Sequence, residues 1–328
     1  MLDYSKIIKN SKAFKTIDLD IERSRLSHAY LFVSADENYL KNFAELVAKK
    51  FINLNETVYA EKNNLRIEKR IHPDVIFYGE DKNIDTATVT DIVDASNISP
   101  FEADKKIFVL ANTQKMNESA QNKLLKSIEE PPKNTFYLMC ATNTTKILQT
   151  ILSRVKRVDL DELVASDIAE MLEDKGTEPQ KAQIFASCAS GNGTFAEKLA
   201  TDDGFVEFFN NIVSALFEIK GSRDVLKYSS VFSAKNIDKE EFINVAMLLL
   251  RDIMMIISKK EELVICKNVI AKLKVISSDL SLAGVQTLVE TCYAEKQKLS
   301  FNVNNTAVVD DFLFKLAEVK VKCRRLSV

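Results

Sequence analysis

The residues of this 328-residue chain that are equipped for chemistry are few and dispersed. There are two histidines, His28 and His72. His28 could act as a base or a ligand, but no second His, Cys or carboxylate stands beside it at ligand spacing, so a packed or capping imidazole is the better reading. His72 alone cannot supply the four N/S donors of a structural zinc site, and no cysteine precedes Met139. Five cysteines, Cys140, Cys188, Cys266, Cys292 and Cys323, are odd in number and form no CxxC pair, a pattern of reduced, buried thiols. Ser153-Arg154 ends the apolar segment Ile151-Leu152 with a cation, and an arginine there can satisfy the last carbonyls of a helix.

The elements around Arg154 can be read from residue 105 onward. Ile107 to Leu110 is an apolar run short enough for a strand buried on both faces. Asn117 can cap a helix, with Glu118 in the first turn where the dipole favours an anion. Ala120, Leu124 and Ile128 recur four apart, Leu125 widens their stripe, and Pro131-Pro132 stops the helix. Phe136 to Cys140 is a second buried strand, Thr142-Asn143-Thr144 offers caps for a helix that closes at Arg154, and Val155 to Val158 is a short closing strand. Upstream, residues 4 to 25 read as one or two helices, Tyr30 to Val33 as a strand, Lys41 to Phe51 as a helix, and 53 to 70 as a polar segment. Asp74 to Tyr78 reads as a strand, and Thr88-x-x-Asp91 as a capping-box variant that opens a helix toward Pro100.

From Asp159 onward the pattern is helical: Asp167 to Leu172, Pro179 to Ser190, Thr194 to Ala200, a stripe of Phe205, Phe208, Phe209, Ile212 and Leu216, then Phe242 to Ile257 and Leu288 to Lys298. Residues 302 to 306 lead into a last helix, Ala307 to Val319. The stripes are core rather than cofactor sites, and the basic tail of Lys320, Lys322, Arg324 and Arg325 reads as a solvated terminus rather than a DNA contact. Gly191-Asn192-Gly193 is a helix stop and turn, and five of the seven glycines, between 176 and 221, mark joints.

An apolar share of 46% with 28% charged residues is a globular profile, and the length suits two or three domains. A net charge of −2 gives no bulk attraction to nucleic acid or to an anionic membrane. The N-terminus MLDYSKIIKN has no apolar core of a signal peptide, and the longest apolar run, near Val245 to Ile257, is interrupted by Arg251-Asp252. A cytoplasmic location is expected.

The run AQNKLLKSIEEPPKNTFYLMCATN, followed by ILSR, resembles the clamp-loader branch of the AAA+ ATPases, and SRLSHAYLF at 24 to 32 and HPD at 72 to 74 support it in the same order. The match is specific over about the first half of the chain and architectural beyond. The resemblance implies an N-terminal α/β AAA+ domain of RecA-like, P-loop NTPase fold with a parallel sheet (1–160), a helical lid (161–203) and an all-α collar for oligomerisation (204–328). In that family a phosphate-binding loop follows the first strand and needs glycines, a lysine and a hydroxyl. Here Ser34 and Tyr39 hold the glycine positions, Leu40 the lysine position and Lys41 the hydroxyl position, while Asp36 and Glu37 add negative charge. Acidic residues that hold magnesium should end the third strand, but Ala111 and Asn112 stand there. Two independent failures predict no ATP or Mg in this chain, and without a cysteine before Met139 relatives' four-cysteine zinc module is absent or cannot hold its metal, so no Zn is expected. Asn143 occupies a sensor position with a structural role expected, and TFAEKLA lacks a second sensor arginine.

Arg154 does match. The family motif Ser-Arg-Cys is here Ser153-Arg154-Val155, and the resemblance implies an arginine finger acting in trans on the nucleotide of a neighbouring subunit, for which a permanently charged planar fork is suited. The expected function is a stator that is not an enzyme on its own, within the DNA polymerase III holoenzyme. Its partners would be gamma/tau and delta subunits in a ring, with the sliding clamp and primer–template DNA met through the complex. The alternatives are an ATP-hydrolysing gamma/tau-type motor subunit, which the missing lysine, glycines and carboxylates oppose, and an autonomous DNA-binding module, which the net charge does not encourage.

Overall fold

The computed structural model describes residues 2–56, 58–201, 204–232, 238–300 and 307–326, which divide into two compact units. The first comprises residues 1–167 with 191–195, and the second 168–190 with 196–328.

The first unit begins with helices α1 (Ser5–Asn10) and α2 (Lys12–Glu22), the latter capped by Ser11, whose hydroxyl accepts from Phe14 N. Strand β1 (Ala29–Val33) leads into helix α3 (Glu37–Ile52). Helix α4 (Ala60–Glu68) lies within the segment read from sequence only as polar. Then follow β2 (Val75–Tyr78), α5 (Thr86–Ser96), β3 (Lys106–Leu110), α6 (Glu118–Glu129), β4 (Thr135–Ala141), the single turn α7 (Gln149–Leu152) and β5 (Lys156–Asp159). The sheet is parallel throughout in the order β2-β3-β4-β1-β5, with register pairs such as Leu31 with Met139 and Phe108 with Tyr137. Parallel strands need helical crossovers that cover both faces. On one face Leu31, Phe108, Leu110 and Met139 pack with Val89, Ile92, Ala120, Leu124 and Ile128. On the other, rings from β1 meet α3: Phe32 with Phe43 at 4.8 Å and Tyr30 with Phe51 at 6.0 Å between centroids. This is the expected α/β domain with a parallel sheet, and its strands deliver residues 34–36, 111–112 and 142–143 to one end of the sheet.

Three local expectations need correction. Helix α5 is capped by Asp85, whose carboxylate accepts from Thr88 N at 2.7 Å; Thr88-x-x-Asp91 lies inside the helix, because a carboxylate three residues earlier reaches the free amides first. Thr142-Asn143-Thr144 caps no helix. Asn143 instead accepts from Thr145 N and Oγ1 at 3.3 and 2.6 Å in a local turn, and α7 starts at Gln149 after Leu148. The closing strand starts at Lys156 rather than Val155, since Val155 N still bonds back to Ile151 O.

The second unit is helical among the described residues. Helix α8 (Ala165–Glu173) is followed by Gly176 at φ +90°, and α9 (Pro179–Cys188) opens on a proline in its first turn. Next come α10 (Gly193–Thr201), α11 (Phe205–Glu218), α12 (Ser222–Phe232), α13 (Lys239–Ile257), α14 (Ile270–Ser278), α15 (Leu282–Ser300) and α16 (Ala307–Leu326). Rings Phe232, Phe242 and Phe312 tie α12, α13 and α16 at centroid distances of 4.9 and 5.6 Å. Asp252, fully buried, explains the charged break in the apolar run: its carboxylate accepts from Ile265 N and Cys266 N and pairs with Arg251. No helix among the described residues is long and apolar enough to cross a membrane.

The basic tail is not a solvated cluster. Lys320 is fully buried and its ammonium donates to Leu216 O in the last turn of α11, where helix carbonyls lack partners. Lys322 pairs with Glu318 and Arg324 with Asp279. The Arg325 side chain and residues 302–306 lie outside the described residues. All five cysteines are buried and lie outside any disulfide, and burial pushes the Cys140 thiol up to about 12.

Candidate functional site

The loop after β1 carries a carboxylate at its centre. Asp36 is 1% exposed and caps α3 by accepting from Tyr39 N at 2.9 Å. Its other oxygen accepts from Gly193 N at 2.7 Å, from Thr194 N at 3.3 Å and from the Tyr4 hydroxyl at 3.3 Å, and the Thr194 hydroxyl adds a further bond. Thr194 Oγ1 also accepts from Asn38 N, and Asn192 donates to Ala35 O. One buried side chain thus gathers amides from the starts of two helices, α3 and α10. Such amides, at positively polarised helix ends, are the groups that elsewhere hold a phosphate. Sequence reasoning had counted Asp36 only as unwanted negative charge.

The four residues at the phosphate-loop positions are otherwise engaged. Ser34 Oγ accepts from Asp36 N at 3.2 Å. Tyr39 is buried, stacks on Tyr4 at 5.6 Å, and has its phenol pushed up to about 12 by burial. Leu40 is buried, and its carbonyl faces the Cys140 thiol at 3.9 Å. Lys41 lines a cavity of about 10 Å³ with Glu37, Leu40, Ala111, Asn112, Cys140 and Thr142. That volume is room for about one water. Ala111 is buried, and Asn112, at φ +55°, donates to Gly79 O at 3.0 Å, so the end of β3 is spent on backbone contacts. No group of three or more His, Cys, Asp or Glu among the described residues is arranged to hold a metal.

Arg154 stands apart from that loop, just beyond α7. Its side chain is 40% exposed, with Nη1 donating to Thr150 O at 3.0 Å and to Ser153 Oγ at 3.1 Å, and Nε 2.6 Å from Glu129 Oε1. The carbonyl-capping bond foreseen for such an arginine is therefore present, and the side chain stays partly in solvent. The segment that leads to it is anchored by Gln121, which is buried in α6. Gln121 donates to Met116 O and Lys146 O and accepts from Leu148 N, the residue before α7. Neither Gln121 nor Glu129 was singled out from sequence. The signal for Gln121 was there: it is a polar residue inside the Ala120/Leu124/Ile128 stripe, and a buried amide requires partners. His28 donates from Nε2 to Ile128 O at 2.7 Å, the capping role expected of it.

A family model described as "DNA polymerase III, delta subunit" matches residues 9–164. The DNA polymerase III subunit delta′ of Bacillus subtilis is 25% identical over 317 residues, covering 94% of this chain and 96% of its own length. The DNA polymerase III subunit tau of the same bacterium is 25% identical over 221 residues, covering 64% of this chain and 39% of that one. Among solved structures, a gamma subunit-related protein of Thermotoga maritima aligns with 93% of this chain and 99% of its own at 17% identity, with a TM-score of 0.43. The family model thus matches the motif-bearing α/β unit, and the chain is similar nearly end to end to a delta′ subunit of DNA polymerase III.

Proposed function

We propose that the chain is a non-ATPase stator of a bacterial DNA polymerase III clamp loader, completing a ring with gamma/tau and delta subunits and lending Arg154 to the nucleotide site of its neighbour. The observation that carries the non-ATPase part is Asp36: a buried carboxylate sits in the loop where a phosphate would bind, already holding the Tyr39 amide at the start of α3, and the space beside Lys41 is about 10 Å³. A triphosphate would have to displace a buried anion from its donors and accept Asp36 and Glu37 as like-charged neighbours. The finger is supported by the ILSR match and by the partial exposure of the Arg154 side chain. The sliding clamp and primer–template DNA are met through the ring, in the cytoplasm, with 161–203 as a helical lid and 204–328 as the collar through which the subunits oligomerise.

The test is a reconstituted clamp loader carrying Arg154→Ala. In GTPases a finger supplied in trans is worth roughly 10³ to 10⁵ in rate, so the variant should silence the one site it serves while ring assembly persists. Undiminished clamp- and DNA-stimulated ATP hydrolysis would sink the finger. For the non-ATPase part, the isolated chain should show no saturable rise in Tm with ATP and magnesium.

A further inference from the structure

A second cavity, of about 350 Å³, lies in the α/β unit and shares no lining residue with Arg154 or the loop after β1. It is bounded by the polar segment around α4 on one side and by the loop before β3 on the other, and its walls include Tyr59, Lys62, Arg66, His72, Glu102 and Asp104. The loop wall is built by Asp74, fully buried, whose carboxylate accepts from the backbone N–H of Phe101, Glu102 and Ala103 at 2.6, 2.9 and 2.9 Å.

His72 closes the floor and is 3% exposed. Its Nδ1 accepts from Asp74 N at 3.2 Å, which places the ring proton on Nε2. That N–H donor reaches no hydrogen-bond acceptor among the described residues; Glu102 Oε1, at 3.5 Å, is outside bonding distance. Burial holds the imidazole pKa below its ordinary value, so the ring is neutral and Nε2–H is its only donor. A buried donor without an acceptor is costly, and water or a ligand must answer it.

The carboxylates around the cavity are already supplied. Glu102 is paired with Arg66, Asp104 accepts from the Asn55 amide, and Glu56 accepts from Val58 N and Tyr59 N. Two donors of the wall lack an acceptor: His72 Nε2–H, and Lys62, whose ammonium sits 6.0 Å over the Tyr59 ring and has no carboxylate partner among the described residues. A metal ion does not suit this set, since a protonated Nε2 has no lone pair to give.

We propose that this cavity binds a small organic molecule through an oxyanion, a phosphoryl or carboxylate group accepted by His72 Nε2–H and by the Lys62 ammonium. The volume exceeds that of the oxyanion alone and leaves room for the rest of the ligand along Tyr59. The site does not depend on the stator reading, because it shares no residue with Arg154 or with the loop after β1.

The experiment is a titration of the full chain followed by the imidazole ¹⁵N and ¹H signals, of which there are two sets, His28 and His72. The probes are inorganic phosphate, glycerol 3-phosphate and acetate. The His72 signals should move saturably while those of His28 stay, and a response to acetate as strong as to phosphate would assign the carboxylate form of the same site. Lys62→Gln, on an exposed side chain, should weaken the response at least about tenfold by removing a charge-assisted bond. His72→Asn keeps an acceptor for Asp74 N but places no donor at the Nε2 position, and should weaken glycerol 3-phosphate binding similarly, read from the chain's amide signals. No saturable His72 shift with any probe, or unchanged affinity in Lys62→Gln, would overturn the proposal.

Discussion

Arg154 is held by Glu129: Nε lies 2.6 Å from Oε1, with both side chains about half in water. Glu129 is the last residue of α6, and the prolines that follow fix where that helix stops and therefore where its carboxylate points. An exposed pair of this kind contributes at most about 1 kcal/mol, so its effect is on the direction of the guanidinium rather than on the fold.

Glu129→Gln should accordingly change unfolding free energy by less than about 1 kcal/mol. In a reconstituted clamp loader it should leave ATP hydrolysis intact or raise it, since the arginine is released toward the neighbour. Arg154→Lys keeps charge but loses the planar fork and should fall well below wild type. Equal losses in Glu129→Gln and Arg154→Ala would mean that the pair acts as a unit, and the parking role of Glu129 would be abandoned.

Asp36 makes the larger energetic claim. Asp36→Ala removes an N-cap worth about 1 kcal/mol and strands the buried amide of Gly193 and the Thr194 hydroxyl, each at about 1–3 kcal/mol. A loss of about 3 kcal/mol is expected in urea unfolding, with faster hydrogen exchange at Gly193 and Thr194. A loss under about 1 kcal/mol, with those amides still protected, would show that the carboxylate does not hold the 191–195 turn.

The strand–helix–strand frame was legible because its signals are local. Ile107 to Leu110 is buried at every position, Asn117 caps α6 through Ala120 N, and Pro131-Pro132 follows its end. The missing lysine and carboxylates were equally plain, since a motif position can be read without knowing its surroundings. Asp36 was misjudged because its partners, Gly193 and Thr194, are about 157 residues away in sequence, and nothing local announces them. Lys320 was misjudged for the same reason: near a terminus a lysine reads as solvated, and the acceptor it meets is Leu216 O. Helix α4 escaped because its polar stretch carries one buried residue, Ile67, too little for an apolar stripe.

Lys320 also carries a pH signature. Burial lowers its pKa from 10.5 to about 8, so between those values the unfolded chain binds the proton more readily than the folded one. Stability rises with pH wherever the unfolded state binds more protons, so this lysine's penalty is in full force below about pH 8 and is relieved toward pH 10. Lys320→Met should remove that slope, and the wild-type-minus-variant difference in unfolding free energy should climb by about 3 kcal/mol across the window. A difference flat in pH would mean that Lys320 is protonated in the folded chain throughout.

Gly79 and Gly176 offer a matched pair of substitutions. Both have positive φ, +83° and +90°, so alanine at either incurs a left-handed backbone cost of about 1–2 kcal/mol. At Gly176 nothing lies within 4 Å of the added Cβ, and that cost should be the whole effect. At Gly79 the Cβ would stand 2.2 Å from the carbonyl oxygen of Ala111, a backbone atom held by the bond from Ala111 N to Tyr78 O and neighbouring the Asn112 bond to Gly79 O. Relief requires parting the ends of β2 and β3, where the acidic residues of an active relative would stand. Gly79→Ala should therefore cost at least about 2 kcal/mol more than Gly176→Ala, a size typical of strain that backbone cannot yield to. Because the two glycines lie in different units, the comparison should be read from hydrogen exchange within each unit rather than from a single midpoint. Equal costs at the two sites would mean that the end of β3 moves freely, and that Gly79 is there for its φ alone.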